Sequence, residues 1–257
     1  MVLAKLISLP VSIILLVWMF RIKKENPFPK SSVAIMLIGG LLSALIVTVV
    51  TLLLDFTALI IRIGPSAFFA LISNPQSAEA ENTLAQLTGT PSLLNVFIST
   101  FIVTALLEEL IKYGLMRACL RRPCALTCQM DALVCGATVG LFFQIVEDLV
   151  YASEGVATAI MRAVTPYHFT FGAIMGYYYG KSVVTGRKSD RAKALLLPVL
   201  IHGLFDFSIK CLTISDNYII LTLIVMLFMC ALSIYMIVKI HKWSTNGALS
   251  APIAENA

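Results

Sequence analysis

The chain has 257 residues, of which 59% are hydrophobic and only 13% are charged, and its mean hydropathy is +0.91. These values lie well outside the composition of water-soluble globular domains and exclude that class. The 19 Lys and Arg outnumber the 14 Asp and Glu, but they concentrate in short loops between apolar runs. That distribution indicates orientation in a lipid bilayer and argues against a nucleic-acid partner.

Seven apolar runs predict the fold class, an all-α integral membrane protein with a polytopic bundle of about seven transmembrane helices. The second run is longer than a bilayer requires, so it is expected to tilt or kink, with Gly39-Gly40 as a weak point. The runs lie at 2–20, 33–61, 93–116, 132–152, 160–180, 194–212 and 218–240.

The loops between the runs predict the orientation of the bundle. Fourteen of the 19 Lys and Arg follow the first, third, fifth and seventh runs, whereas four lie on the opposite side. Because basic loops stay in the cytoplasm, the N-terminus is expected outside and the C-terminus in the cytoplasm.

The third run contains ionisable residues far from its ends. Glu108, Glu109 and Lys112 lie within it, and about two helical turns still separate them from Arg117. A charge at mid-membrane costs about 2.5–3.5 kcal/mol even on the lenient insertion scale. Lys112 follows the glutamates by four and three residues, so it can neutralise either carboxylate. The run is therefore interpreted as a site helix.

The next three runs carry further polar groups at similar depth. Counted at about 1.5 Å per residue from the cytoplasmic ends, Glu147, Asp206, the histidines of these runs and the two glutamates lie about 12 to 24 Å deep. They are therefore expected to form one cluster. His202 and Asp206 share a helix face, so the carboxylate can orient the imidazole, and Gln144 can brace Asp148 in the same way. The six residues are Gln144, Glu147, Asp148, His168, His202 and Asp206.

Four short motifs occur in order on these runs. They are EExxK at Glu108 to Lys112, FxxxE at Phe143 to Glu147, HFTFGAIMGYYYG from His168, and HxxxD at His202 to Asp206. In this order the chain resembles the PrsW family of intramembrane proteases over about residues 95–210. That family is related to the CAAX prenyl endopeptidases and bacteriocin-immunity proteins.

The resemblance implies a multi-pass protease of the bacterial cytoplasmic membrane that cuts a membrane-anchored protein, as in site-1 cleavage of an anti-sigma factor. Matched residue by residue, it implies catalytic roles for Glu108, Glu109 and His202. Glu147, His168 and Asp206 surround them as further catalytic residues, and Lys112, Asp148 and Gln144 serve as structural or charge partners. Asp148 departs from the family, which often has Asn there. The CAAX relatives usually have His in place of Glu147, which argues against a prenylated substrate.

The chain is then expected to form one membrane domain over residues 1–257. Its catalytic core of four helices is expected at about 93–212, between peripheral helices at 2–61 and 218–240. Residues 63–92 are predicted to form an external polar loop.

Two chemical schemes are compatible with these residues. Glu147, His168 and His202 can supply a zinc ion with one carboxylate and two imidazoles, leaving a position for water, with Glu108 or Glu109 as general base. The metal-free alternative places Glu109 and one histidine on the water. The donor types favour zinc, although the predicted depths put Glu147 and His202 about 11 Å apart.

Two other classes of function stay open. The buried acids and histidines are also compatible with a proton- or ion-coupled transporter, although no inverted repeat is evident. A non-enzymatic immunity or scaffold protein would keep the same fold. The sequence indicates neither the identity of the substrate nor the oligomeric state.

Overall fold

The computed structural model describes residues 2–78, 80, 82, 83, 91–151, 160–162 and 165–253. Within these ranges the chain is helical and contains no β-strand, only an isolated bridge between Cys128 and Pro252. An α-helix satisfies its backbone hydrogen bonds internally, as a bilayer requires. The predicted all-α membrane fold is confirmed.

Eight helices are numbered here in chain order. Two of them, α2 and α4, are each interrupted by a π-helical segment. The helices are α1 (Val2–Ile22), α2 (Lys30–Ala34, π-helical Ile35–Gly39, Gly40–Ile63), α3 (Pro65–Ser73), α4 (Leu93–Phe97, π-helical Ile98–Leu106, Leu107–Leu120), α5 (Gln129–Tyr151), α6 (Tyr167–Thr185), α7 (Lys188–Lys210) and α8 (Ile219–Asn246).

Five of these helices are long and apolar enough to cross a membrane: α2, α4, α5, α7 and α8. In α1 the apolar stretch Leu9–Ile22 is shorter. Helix α6 is buried along most of its length by its neighbours, which makes it the centre of the bundle. The polytopic architecture is thus established, and the number of seven spans stays a prediction.

The closest helix pair is α5 and α6, which meet through glycines. A Cβ atom at Gly140 of α5 would overlap the backbone carbonyl of His168, and one at Gly172 of α6 would overlap the carbonyl of Gly136. Small residues at such crossings let helix backbones approach each other in a membrane. This approach brings His168 against α5.

Wide π-helical turns lie in both interrupted helices. In α2 the turn ends at the weak point predicted from the sequence, where Gly39 lies against Leu115 and Gly40 against Phe142. In α4 the nine-residue segment Ile98–Leu106 ends two residues before Glu108. Such turns often mark functional sites, because they change the direction in which the following side chains point.

Two predicted loops differ from the structure. The first part of the predicted polar segment 63–92 forms the apolar helix α3, whose Phe69 and Ile72 are largely exposed. Gly64, at a φ of 82°, makes the turn from α2, and Pro65 suits the first position of the new helix. Residues 79, 81 and 84–90 of this segment lie outside the described residues. The basic loop predicted at 181–193 is mostly helical as well, since only two residues separate α6 from α7.

Three segments join at one end of the bundle. Lys23, after α1, forms a buried ion pair of 2.5 Å with Asp131 at the start of α5. Beyond α8, the backbone N–H of Ile253 donates to the carbonyl of Thr127, and the carbonyl of Leu249 accepts from Met130. The ends of α1, α4 and α8 therefore share one side, as the predicted orientation requires.

The orientation can be tested by thiol labelling. In a Cys124→Ser background, Gln76→Cys is expected to react with an impermeant maleimide from outside, and Ser189→Cys only after the cytoplasmic side is opened, because basic loops stay inside. All three positions are exposed in the structure. The labelled fraction is read by gel shift, and reaction of both cysteines from the same side would contradict the predicted topology.

The glycine contact predicts a stability effect. Gly140→Ala is expected to lower the free energy of unfolding by about 1–3 kcal/mol, since the added methyl group forces α5 and α6 apart. Gly114→Ala in α4 is the control, because no atom lies within 4 Å of its Cβ position. That change is expected to be neutral or to stabilise the helix by up to about 1 kcal/mol. Equal unfolding curves of the two purified variants in detergent would refute the argument.

Candidate active site

A buried ammonium group lies at the centre of the polar cluster. Lys112 Nζ is 2.9 Å from Glu109 Oε1, 3.2 Å from Glu108 Oε2 and 2.8 Å from His168 Nδ1. It also lies 3.8 Å from the centre of the Phe143 ring, where the aromatic face attracts a cation. An ammonium has three protons to donate, and here each has an acceptor. The pairing with both glutamates agrees with the spacing on α4.

His168 connects this ammonium to the next carboxylate. Since an ammonium can only donate, His168 Nδ1 accepts from Lys112, and the ring proton is therefore assigned to Nε2. That nitrogen lies 2.5 Å from Glu147 Oε2, to which it donates. Both ring nitrogens of His168 are thus engaged inside the protein.

Arg162 holds the outer end of this chain of contacts. Its Nη2 lies 2.8 Å from Glu147 Oε2 and its Nε 2.6 Å from Asp148 Oδ1. Asp148 is fully buried, and Gln144 is buried one turn earlier on α5. Sequence reasoning counted Arg162 only as a basic residue on the external side. Its position inside the apolar run that contains His168 is the signal that indicates a partner for the two acids.

His202 of α7 faces carboxylates through both ring nitrogens. Its Nδ1 lies 2.9 Å from Glu109 Oε1, and its Nε2 lies 3.4 Å from Asp206 Oδ2 and 3.9 Å from Glu108 Oε2. The ring stacks on Phe171 at 5.0 Å between centres. The proximity of His202 and Asp206 expected from their spacing is present. The Asp206 side chain is 23% exposed, so it lies at the open edge of the cluster.

Glu109 keeps one oxygen without a partner. Its Oε1 contacts both Lys112 and His202, whereas its buried Oε2 has no hydrogen-bond partner among the described residues. Buried polar atoms are nearly always hydrogen-bonded, so such an atom calls for an explanation. A water molecule or a substrate atom at this oxygen would provide one.

The nitrogen and oxygen atoms of the cluster can be compared with those that bind zinc in proteins. Glu108, Glu109, His168 and His202 each offer one atom within 4.8 Å of the others, and these donor types suit zinc. Glu147, one of the three ligands predicted from the sequence, is not in this group, and its Oε2 contacts Arg162 and His168. A zinc ion at this position would share three of the four donors with the Lys112 ammonium. With Lys112 in place, these residues do not fit the ion.

The structure thus brings Glu108, Glu109, Lys112, His168 and His202 into direct contact. Of the other predicted residues, Glu147 joins through His168, Asp206 borders His202, and Asp148 is reached through Arg162. Gln144 is buried nearby on α5.

Residues 28–233 match the model of a family described as PrsW family intramembrane metalloprotease, and this region includes every residue of the cluster. No solved structure matches the chain.

Several relatives carry the name Protease PrsW. The one from Oceanobacillus iheyensis is 33% identical over 143 residues, which are 54% of this chain and 66% of the relative. The Bacillus subtilis protein is 33% identical over 52% of this chain and 62% of its own length. The Clostridioides difficile protein is 33% identical over 51% of this chain and 58% of its own length. The chain thus spans less than two thirds of these relatives. Because the family model covers most of the chain, this protein belongs to the PrsW family.

Proposed function

We propose that this protein is an intramembrane endopeptidase that hydrolyses a peptide bond in a membrane-anchored protein. The observation that carries the proposal is the unpartnered Glu109 Oε2, buried in a cluster that also contains a second glutamate and two histidines. Membership of the PrsW family supports the same activity. Peptide hydrolysis requires an activated water, a stabilised oxyanion and a protonated leaving amine, and the cluster offers a group for each requirement.

Glu109 is the proposed general base. Its Oε1 is fixed by Lys112 and His202, so Oε2 is held in a constant direction and can accept a proton from water. The hydroxide oxygen then bonds to the substrate carbonyl carbon, and the proton stays on Glu109 until the C–N bond breaks. Glu109 returns it to the leaving amine. General acid–base catalysis by one such residue typically contributes about 10²–10⁴ in rate.

His202 is proposed to stabilise the negative charge that develops on the carbonyl oxygen. It lies next to Glu109, and when protonated it can donate from Nε2 at the side where Asp206 and Glu108 lie. Phe171 stacks on the ring and keeps its plane fixed. A donor fixed before the reaction stabilises an oxyanion without reorganisation.

The remaining residues are proposed to hold this arrangement together. Lys112 forms ion pairs with both Glu108 and Glu109, and His168 links it to Glu147. Arg162 closes the chain of contacts at the carboxylates of α5. This scheme needs no metal ion. The zinc scheme expected from the sequence is supported by the family description and by the donor types, but the position of Lys112 opposes it.

The substrate is proposed to be a protein with a membrane span close to the cut site. The reacting groups lie among membrane helices. Among the described residues of the cluster, the side chains of Asp206, Glu147 and Arg162 are 23%, 17% and 13% exposed and open the cluster to its surroundings. A peptide already in the bilayer can approach such an edge without crossing water. The family resemblance favours an anti-sigma factor with a single span as this substrate.

Substitution of the reacting groups tests the proposal. Glu109→Gln, Glu108→Gln and His202→Ala are each expected to lower the cleavage rate by about 10²–10⁴. Glu109→Gln removes the general base, His202→Ala removes the oxyanion donor, and Glu108→Gln removes a carboxylate that faces Nε2 of His202. Glu25→Gln, an exposed glutamate after α1, is the matched control and is expected to cleave at the wild-type rate. Substrates are identified by mass spectrometry of membrane proteins from cells with wild type or Glu109→Gln, and cleavage is then measured in detergent.

Two results would contradict the proposal. One is wild-type cleavage by all three site variants when their yield and melting temperature match those of the control. The other is a combination of two observations. Wild-type protein in liposomes conducts ions without any substrate and Glu109→Gln does not, while the cleaved membrane proteins of the two strains do not differ. That pair of results would identify a transporter.

A further inference from the structure

We propose that Lys112 occupies the cation position of this site, so that the protein excludes zinc and other divalent ions. Removal of the Lys112 side chain is then expected to create a zinc site from Glu108, Glu109, His168 and His202. The inference concerns metal binding alone and rests on the contacts of these residues, not on the proposed protease activity. Metal content can therefore be measured whether or not the site cleaves peptides.

A zinc ion bound to these glutamates would lie close to the Lys112 ammonium. Zinc binds carboxylate oxygen at about 2.1 Å. Because Glu109 Oε1 lies 2.9 Å from Lys112 Nζ, a zinc ion on that oxygen would lie at most about 5 Å from the ammonium. Glu108 Oε2, at 3.2 Å from the same Nζ, gives nearly the same limit. Two like charges this close in a buried, low-dielectric site repel each other strongly.

Both ring nitrogens of His168 are already used in hydrogen bonds. A histidine binds zinc through a ring nitrogen that carries a lone pair and no proton. In this site Nδ1 uses its lone pair to accept from Lys112, and Nε2 carries the proton that faces Glu147. His168 therefore has no lone pair to offer while Lys112 is present.

Removal of the Lys112 ammonium would leave the donor atoms of two glutamates and two histidines close together. Shortening Lys112 to alanine releases one oxygen of each glutamate and the Nδ1 lone pair of His168 at the same place. His202 already lies within the same group, whose donor atoms are all within 4.8 Å of one another. Two carboxylates and two imidazoles are a donor set that zinc accepts, and the buried Glu109 Oε2 adds a further oxygen. The negative charge that Lys112 had balanced would then favour a divalent ion.

The experiment measures zinc binding to purified protein in detergent. Wild type, Lys112→Ala and the control Lys210→Ala, an exposed lysine at the end of α7, are treated with chelator, dialysed against graded free zinc and analysed for bound metal. Lys112→Ala is expected to bind about one zinc per chain with a Kd at least 100-fold lower than that of wild type. Lys210→Ala is expected to match wild type. Adding His202→Ala to Lys112→Ala is expected to weaken binding at least tenfold.

Either of two results overturns the inference. One is a wild-type protein that binds one zinc per chain as tightly as Lys112→Ala does. The other is a folded Lys112→Ala protein, monodisperse in gel filtration, that binds no more zinc than wild type. If the alanine variant is recovered only as aggregate, Lys112→Gln takes its place, because it removes the charge and keeps most of the volume. Tighter zinc binding than wild type then supports the inference, and equal binding overturns it.

Discussion

The site depends on the interaction of one buried ammonium with its three acceptors. Transferring a carboxylate from water to a low-dielectric interior costs several kcal/mol, and α4 carries two of them in sequence. Lys112 compensates both from the next turn of the same helix and also reaches His168 on α6. A single cation therefore pairs with both carboxylates of α4 and fixes the rotation of this helix relative to α6.

This interaction is possible because α5 and α6 lie unusually close. Gly140 leaves room for the backbone carbonyl of His168, so the imidazole enters the space between α4 and α5. From there it can contact Lys112 and Glu147 at the same time. The glycines thus contribute to the site without touching a reacting atom, and stability and site geometry depend on the same contact.

The sequence predicted the contacts that arise within one helix. The pairing of Lys112 with Glu108 and Glu109, and the proximity of His202 and Asp206, follow directly from spacings of three and four residues. Contacts between helices depend on tilt and rotation, which spacing does not determine. Spacing therefore indicates neither the contact from Lys112 to His168 nor the bridge made by Arg162. The group of close donor atoms also contains Glu108 and Glu109 and not Glu147. The spacing of glycines on α5 and α6 is the sequence signal that indicates the close approach of these two helices.

The π-helical segment of α4 makes the candidate active site sensitive to the number of residues per turn in this helix. In an α-helix one residue corresponds to about 100° of rotation. A π-helical turn holds about one residue more than an α-helical turn, so each residue of Ile98–Leu106 contributes a smaller rotation. Closing this segment to α-helical spacing without loss of a residue would therefore turn Glu108, Glu109 and Lys112 about the helix axis, away from α6 and α7. A family member could thus retain every motif residue and still lack an assembled site. The helical form of this segment is therefore as informative about an assembled site as the motifs themselves when related proteins are compared.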